Sequence, residues 1–236
     1  MDSRSVAMIE DPPVLKLRRN FERPPAELVA ALADVPTGYV VDCMDGQGAL
    51  DYRVKSLLPD NSKFTGVAVT CDCGPADNLG ILGAMDIAQP GDVIVATTQA
   101  FYATAVIGDL LLAMMKNAGL TAFVTDGLAR DLEGIEEVGF PIFCKGITPN
   151  SPARNGPATA GYPINVDNVY VCPGDVIVAD RDGIVVVPQA KLQQVVDRLE
   201  TVKALEARAM AQIDEGVTMP GFYNEFVNAG KVEEDK

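Results

Sequence analysis

Pro90-Gly91-Asp92-Val93-Ile94-Val95-Ala96 recurs letter for letter as Pro173-Gly174-Asp175-Val176-Ile177-Val178-Ala179. In each copy a Pro-Gly pair makes a tight turn, and the β-branched run behind it reads as a buried strand. A single repeated pair is too little for a solenoid, which stacks at least three units. The same turn-to-strand device is used twice in a strand-rich scaffold. Working outward from the first copy, residues 77–88 read as a helix stopped by Pro90-Gly91, and residues 64–71 as an alternating strand. Pro24-Pro25-Ala26-Glu27 opens a short helix to Leu32, with Pro and Glu at helix-start positions. Residues 42–60, rich in Gly and Asp, read mostly as loop. Residues 105–117 read as a strongly apolar helix, 121–125 as a short buried strand, 130–138 as a short helix and 141–144 as a strand. Residues 146–163 form a long Pro-, Asn- and Gly-rich loop. Around the second copy, residues 165–172, 175–180 and 183–187 read as three strands. Leu192, Val195, Val196, Leu199, Val202 and Leu205 keep helical spacing in a long helix over 189–213.

Strands alternate with helices in the middle and then run together, which is an α/β single domain with a mixed sheet. Its expected extent is 24–215. An irregular segment, 1–23, precedes it. A tail, 216–236, follows, and its Phe222, Tyr223 and Phe226 suit contact with another subunit.

The 236 residues carry 19 Lys and Arg against 33 Asp and Glu, a net charge of −14. So acidic a surface argues against a nucleic-acid groove or a polybasic membrane patch. The absence of His removes Ser-His-Asp and Cys-His catalysis and the common His-ligated metal sites. Acid–base chemistry then falls to carboxylates, Arg, Lys, Tyr, Cys or bound water. The five Cys (43, 71, 73, 144 and 172) are too few and oddly numbered for a disulfide framework, and read as reduced, mostly buried thiols. Met1–Glu10 has no apolar h-region, and no run approaches a membrane helix, so a cytoplasmic location is expected.

The chemical weight falls on Gly108-Asp109-Leu110-Leu111 and Asp126-Gly127-Leu128-Ala129-Arg130-Asp131, which give the spacing Asp-x20-Arg-Asp. Gly108-Asp109 sits near a helix start, and the strand ending at Thr125 returns the chain to the same edge, where Arg130-Asp131 begins the next helix. Unpaired N–H groups and the positive dipole end at a helix start suit a substrate carboxylate. Taken singly, Asp131 and Asp109 could be helix-start charges, Glu206 a solvated helix residue and Asp77-Asn78 a cap. Arg154 and Lys145, near the long loop, could meet a distal carboxylate, although a solvated role suits them better. Gly46-Gln47-Gly48 lacks the context of a dinucleotide loop.

The ordered set of Asp77-Asn78-Leu79, Pro90-Gly91-Asp92-Val93, Gly108-Asp109-Leu110-Leu111, Thr125-Asp126-Gly127, Arg130-Asp131, Gly146-Ile147-Thr148-Pro149 and Asp182-Gly183-Ile184-Val185-Val186-Val187-Pro188 resembles one family. It is that of the divalent-metal-dependent pyruvate aldolases typified by 4-hydroxy-4-methyl-2-oxoglutarate/4-carboxy-4-hydroxy-2-oxoadipate aldolase. The regulator of ribonuclease activity A, a non-catalytic relative, shares the fold. The resemblance implies a β/β/α layered, swivelling-type domain assembled as a homotrimer or homohexamer. It implies a small 2-keto acid as partner, with retro-aldol release of pyruvate and a side activity on oxaloacetate. Asp131 would hold Mg²⁺ or Mn²⁺, and Asp109 would steady the waters around the ion. Arg130 would donate to the keto oxygen, and the N–H groups of Leu110 and Leu111, after Gly108, would hold the carboxylate. Bound water or Glu206, reaching a neighbouring subunit's site, would handle the proton. Where members often carry a His after the Asp-Asn-Leu stretch, this chain has Gly80-Ile81-Leu82-Gly83, which bears on substrate choice. Two other functions compete: a trimeric regulator that masks an RNA-processing enzyme, and a quinone methyltransferase. The second lacks a glycine-rich nucleoside loop.

Overall fold

The computed structural model describes residues 13–233. The readings of Met1–Glu10 and of the first part of the N-terminal segment lie outside them. The strands are β1 (Leu15–Leu17), β2 (Lys55–Ser56), β3 (Phe64–Asp72), β4 (Asp92–Thr97), β5 (Ala105–Ile107), β6 (Ala122–Thr125), β7 (Leu128–Ala129), β8 (Ile142–Cys144), β9 (Ala158–Ala160), β10 (Ile164–Val166), β11 (Val169–Val171), β12 (Val176–Ala179) and β13 (Ile184–Val187). The helices are α1 (Ala26–Ala31), α2 (Thr37–Cys43), α3 (Leu79–Ile87), α4 (Asp109–Asn117), α5 (Leu132–Val138), α6 (Leu192–Asp214) and α7 (Gly221–Asn228).

A nine-stranded mixed sheet runs β1-β9-β3-β4-β6-β8-β2, with β12 joined to β3 and β13 to β12. The pairs β3–β4, β4–β6 and β6–β8 are parallel, so the carboxyl ends of four strands share one edge. Alternation along each strand divides the core. Ile94, Ala96, Phe123 and Ile142 face Ile81, Leu112, Met115 and Ile135 of the α3–α5 layer. Val93, Val95, Val124 and Phe143 face the β10–β11 hairpin together with Ile177 and Val186. The outer side of β12–β13 is covered by Leu32, Val40, Leu192, Val195 and Leu199 from the helical segments. This is the expected α/β, β/β/α layered fold.

The repeated heptapeptide has a local cause. Gly91 and Gly174 take φ of 92° and 96°, a conformation glycine reaches without a Cβ penalty. The Asp after each Gly clamps the turn by accepting the N–H three residues earlier. Gln89 donates to Asp92 at 2.7 Å and Cys172 to Asp175 at 2.8 Å. Arg23 adds a bidentate pair to buried Asp92, at 2.7 and 2.8 Å. Burial pushes the Asp175 carboxyl above the usual carboxylate range, against its two backbone hydrogen bonds.

Several elements differ from expectation. Residues 105–107 form β5 and not the first turn of a helix: Ala105, Val106 and Ile107 are buried and pair with β7. A short apolar run carries no period that separates strand from helix. The helix expected from residue 130 begins at Leu132, because Leu128–Ala129 is a strand and Asp131 is left-handed. Residues 165–172 are a hairpin turning at Asp167 (φ 54°). The expected irregular segment contains β1, and the expected loop contains its parallel partner β9. The helix α2 has no counterpart among the expected elements. The cysteines agree with expectation: all five are free, and four are buried. Burial pushes the Cys144 thiol up to about 11. No helix among the described residues is long and apolar enough to cross a membrane.

Candidate active site

A cleft of about 70 Å³ is lined by the start of α4, the β7–α5 junction, Asn78 before α3, and the 152–154 loop. Gly108, Asp109, Leu110, Leu111, Arg130 and Asp131, all picked from sequence, meet here. The chain reaches this arrangement through β5 and β7, which pair in parallel immediately before the two helix starts. The Arg130 N–H donates to the Ile107 carbonyl at 3.0 Å, which ties one helix start to the other.

Arg130 and Asp131 form a lateral pair. Arg130 Nε lies 3.0 Å from Asp131 Oδ2, with both side chains partly exposed. One terminal guanidinium nitrogen, Nη1, also donates to Ser151 Oγ. The ion pair and the hydrogen bond hold the guanidinium and leave Nη2 without an assigned partner. Asp131 has φ 61° and ψ 49°. A left-handed residue that is not glycine costs roughly 1–3 kcal/mol and persists where the surroundings over-determine it. Here its carbonyl accepts the Ile135 N–H at 2.9 Å, the first bond of α5.

Gly108 has extended backbone, so its role is close approach and not conformational freedom. A Cβ there would lie 2.6 Å from Asp131 Oδ2 and 3.2 Å from Arg130 Cγ. Gly134 gives Asp109 room in the same way: a Cβ would lie 2.5 Å from Asp109 Oδ2. Gly108→Ala therefore displaces the end of a flexible side chain and leaves the backbone alone. We expect Tm to move by no more than a few degrees, while any activity that uses Asp131 falls at least about tenfold, since small misplacements of catalytic groups are costly. Thermal unfolding and initial rates on the same preparation check this.

Asp109 Oδ1 accepts the Leu110 N–H at 2.7 Å. That N–H, expected to be open to a carboxylate, is covered by the chain itself, which leaves the Leu111 N–H at the helix start. Glu206 does not come to the cleft within one chain. It lies on the outer part of α6, in a separate groove with Asp42 and Arg198. Lys145 is neither solvated nor in the cleft: its nearly buried side chain pairs with Asp167 and donates to Tyr102 Oη at 2.9 Å. Arg154 is exposed, as expected, and also lines the cleft.

The cap expected at Asp77-Asn78 falls to Asp77, whose hold on the adjoining loop was not legible in the sequence. Buried Asp77 accepts the Leu79 N–H at 2.8 Å through Oδ1, and the Asn155 and Gly156 N–H groups at 2.6 and 3.1 Å through Oδ2. It thus caps α3 and pins the loop that carries Arg154. Asp126, at the end of β6, is buried and accepts from Thr97 Oγ1, Thr98 N and Oγ1, and Ala100 N. It braces the turn before Arg130 and is no free base.

The acidic and amide groups of the cleft are all oxygen donors: Asp109, Asp131 and Asn78. No cysteine lines it. Such donors fit a hard divalent cation and not a thiophilic one. Among the described residues no group of three or more His, Cys, Asp or Glu could hold an ion, so a cation here would rest on few side chains and keep much of its water. Arg130 and Arg154 balance Asp109 and Asp131, leaving the cleft near neutral within a strongly acidic chain. A doubly charged acid and a doubly charged cation together preserve that balance.

Comparison with known proteins identifies relatives of this chain. The RraA-like family, described as Aldolase/RraA, matches residues 30–186. A Halalkalibacterium halodurans protein named "Putative 4-hydroxy-4-methyl-2-oxoglutarate aldolase" is 32% identical over 203 residues, 86% of this chain and 96% of its own. The crystal structure of Streptomyces coelicolor RraAS2, described as an unusual member of the RNase ES inhibitor RraA family, superposes with a TM-score of 0.72. It is 30% identical and covers 80% of this chain and 100% of its own. The RNA-processing inhibitor RraA of Thermus thermophilis gives 0.60 at 26% identity, over 66% of this chain and 93% of its own. The family thus holds both aldolase-named and inhibitor-named proteins, and this chain belongs to it: it is a member of the Aldolase/RraA family.

Proposed function

We propose that this protein is a divalent-metal-dependent lyase that cleaves a 4-hydroxy-2-oxo di- or tricarboxylic acid to pyruvate and a second keto acid, and also decarboxylates oxaloacetate. The observation that carries the reading is the juxtaposition of Arg130 and Asp131 with the start of α4 in one cleft. Asp131, with Asp109 beside it, would hold Mg²⁺ or Mn²⁺, which would supply Lewis-acid charge to the developing enolate.

The residues of the cleft would divide the steps among them. The Leu111 N–H at the α4 start receives the 2-oxo acid's carboxylate. Arg130, held by Asp131 and Ser151, turns its remaining Nη2 donor to the keto oxygen. Arg154, pinned through Asp77, receives the distal carboxylate. The C4 hydroxyl gives its proton to water in the cleft or to Glu206 of a neighbouring copy. The C3–C4 bond breaks, its electron pair enters the pyruvate enolate, and the C4 fragment leaves as a carbonyl compound. Negative charge grows on the keto oxygen as this happens. A fixed guanidinium there lowers the barrier because it meets more charge in the transition state than in the ground state. The group that took the C4 hydroxyl proton, water or Glu206 of the neighbouring copy, returns it to C3 of the enolate and completes pyruvate. With oxaloacetate the departing fragment is CO₂, and the same enolate forms.

The test is pyruvate release from 4-hydroxy-4-methyl-2-oxoglutarate and from oxaloacetate, followed by coupled reduction with lactate dehydrogenase. Release from at least one acid is expected. No release from either would favour the other reading, a regulator that binds an RNA-processing enzyme. That reading is supported by the likeness to the two inhibitor-named structures and by the net charge of −14. Copurification with such a nuclease, without turnover, would establish it.

A further inference from the structure

Asn78 occupies the N-cap position of α3, where an Asn side chain ordinarily accepts a backbone N–H of the first turn. Here it makes no cap bond; the preceding Asp77 takes the Leu79 N–H instead. Asn78 is 3% exposed. Its Nδ2 donates to the Val106 carbonyl at 3.2 Å. That bond fixes the amide's sense, because the flipped form would set oxygen against oxygen. Oδ1 is then buried without a partner in a residue that lines the cleft. A buried acceptor left unpaired is uncommon in native proteins and marks a place where a donor is missing.

The position within the cleft narrows the donor. The Asn78 N–H donates to the Ala153 carbonyl at 3.1 Å, and Asp77 holds the N–H groups of Asn155 and Gly156. Asn78 is therefore tied to the loop that carries Arg154, at the end of the cleft assigned to the distal part of the substrate. The 2-oxo acid end is held by α4 and Arg130, on other elements. Between those ends, a 4-hydroxy-2-oxo acid has one neutral O–H. The guanidinium groups of the cleft are suited to anionic oxygens, whereas a neutral amide oxygen suits a hydroxyl. We infer that Asn78 Oδ1 accepts the C4 hydroxyl of the substrate, so that this residue selects hydroxylated acids over their deoxy counterparts. The inference deepens the lyase reading and rests on it for the orientation of the acid. A site that leaves a buried polar atom unpaired with the deoxy compound rejects it strongly.

The test compares 4-hydroxy-2-oxoglutarate with 2-oxoglutarate, which differ only by that hydroxyl, on wild type and Asn78→Ala in Mg²⁺. Affinity is read from the ligand-dependent rise in Tm, and pyruvate is followed in the same samples. Wild type is expected to prefer the hydroxylated acid by about tenfold or more, and Asn78→Ala to bring the ratio to within about twofold. Asn78→Ser replaces it if the alanine variant does not fold. A merely structural role would weaken both ligands together and leave the ratio intact, and that result overturns the assignment, as does a wild type with no preference. Preference without pyruvate release would retain Asn78 as the hydroxyl reader and remove the lyase. Pyruvate release with an unchanged ratio in the variant would do the reverse. Failure of wild type to bind either acid would remove both.

Discussion

Arg130→Ala is expected to lower pyruvate release by roughly 10²–10³-fold, the usual cost of one preorganised donor at a developing oxyanion, while leaving the fold intact. The side chain is partly exposed, and its pair with Asp131 belongs to a class worth about 0–1 kcal/mol. Tm should therefore shift by only about 2–4 °C at most in a chain of this size. The backbone bond from the Arg130 N–H to Ile107 does not depend on the side chain. Arg130→Lys should rescue little. A lysine keeps the charge, but it cannot meet Asp131, Ser151 and a keto oxygen at once from a rigid plane. Initial rates with circular dichroism and thermal melts on each variant check this. A loss shared equally by stability and rate would mean that Arg130 acts as a structural clamp.

Asp131→Asn is expected to cost at least as much, roughly 10²–10³-fold or more, since it removes the carboxylate offered to the cation together with the partner that orients Arg130. Asparagine is the informative substitution because it tolerates the left-handed backbone at this position. Alanine would add strain that has nothing to do with charge. Residual activity should need far more Mg²⁺ for half-saturation. Since the two residues act as a unit, the double variant should be little worse than either single one. Multiplied losses would mean independent roles. Rates across a Mg²⁺ titration for wild type, both single variants and the double variant decide between these outcomes.

The part of the fold that could be read from sequence was the part written in local chemistry. Pro-Gly-Asp announces its turn because glycine must take positive φ and the Asp must clamp the N–H three residues back, and both copies do so. The strand over 64–71, the helix over 77–88 and the long C-terminal helix have counterparts in β3, α3 and α6. What was illegible depends on distant partners. Leu15–Leu17 is a strand only because Ala158–Ala160 lies beside it. Residues 105–107 are a strand only because β7 is there to pair. Thr37–Cys43 holds residues of modest helix propensity, and it is helical because it packs on α6 and buries Val40 and Cys43. In the candidate site, Gly108 to Leu111 and Arg130-Asp131 could be picked out by spacing. Asn78 could not: Asp77-Asn78 reads as a helix cap, and that reading holds for Asp77 alone. Arg154 sits in a loop whose composition says surface, and its place in the cleft follows from backbone bonds to Asp77. Glu206, proposed to act on a neighbouring copy, stands on a helix whose residues beyond Leu199 are mostly exposed, as are Phe222, Tyr223 and Phe226 of α7.

In the proposed reaction this cleft stabilises the enolate of pyruvate by means of a divalent cation at Asp131 and the guanidinium of Arg130. That role can be tested without knowing the physiological substrate, by following loss of the pyruvate methyl proton signal in ²H₂O by NMR. Wild type in Mg²⁺ should exchange the methyl protons well above the rate without protein. EDTA should abolish the exchange and restored Mg²⁺ should recover it, while Arg130→Ala and Asp131→Asn should exchange no faster than buffer. Exchange at the buffer rate with wild type in Mg²⁺, or exchange that is indifferent to EDTA and to both substitutions, would contradict the account.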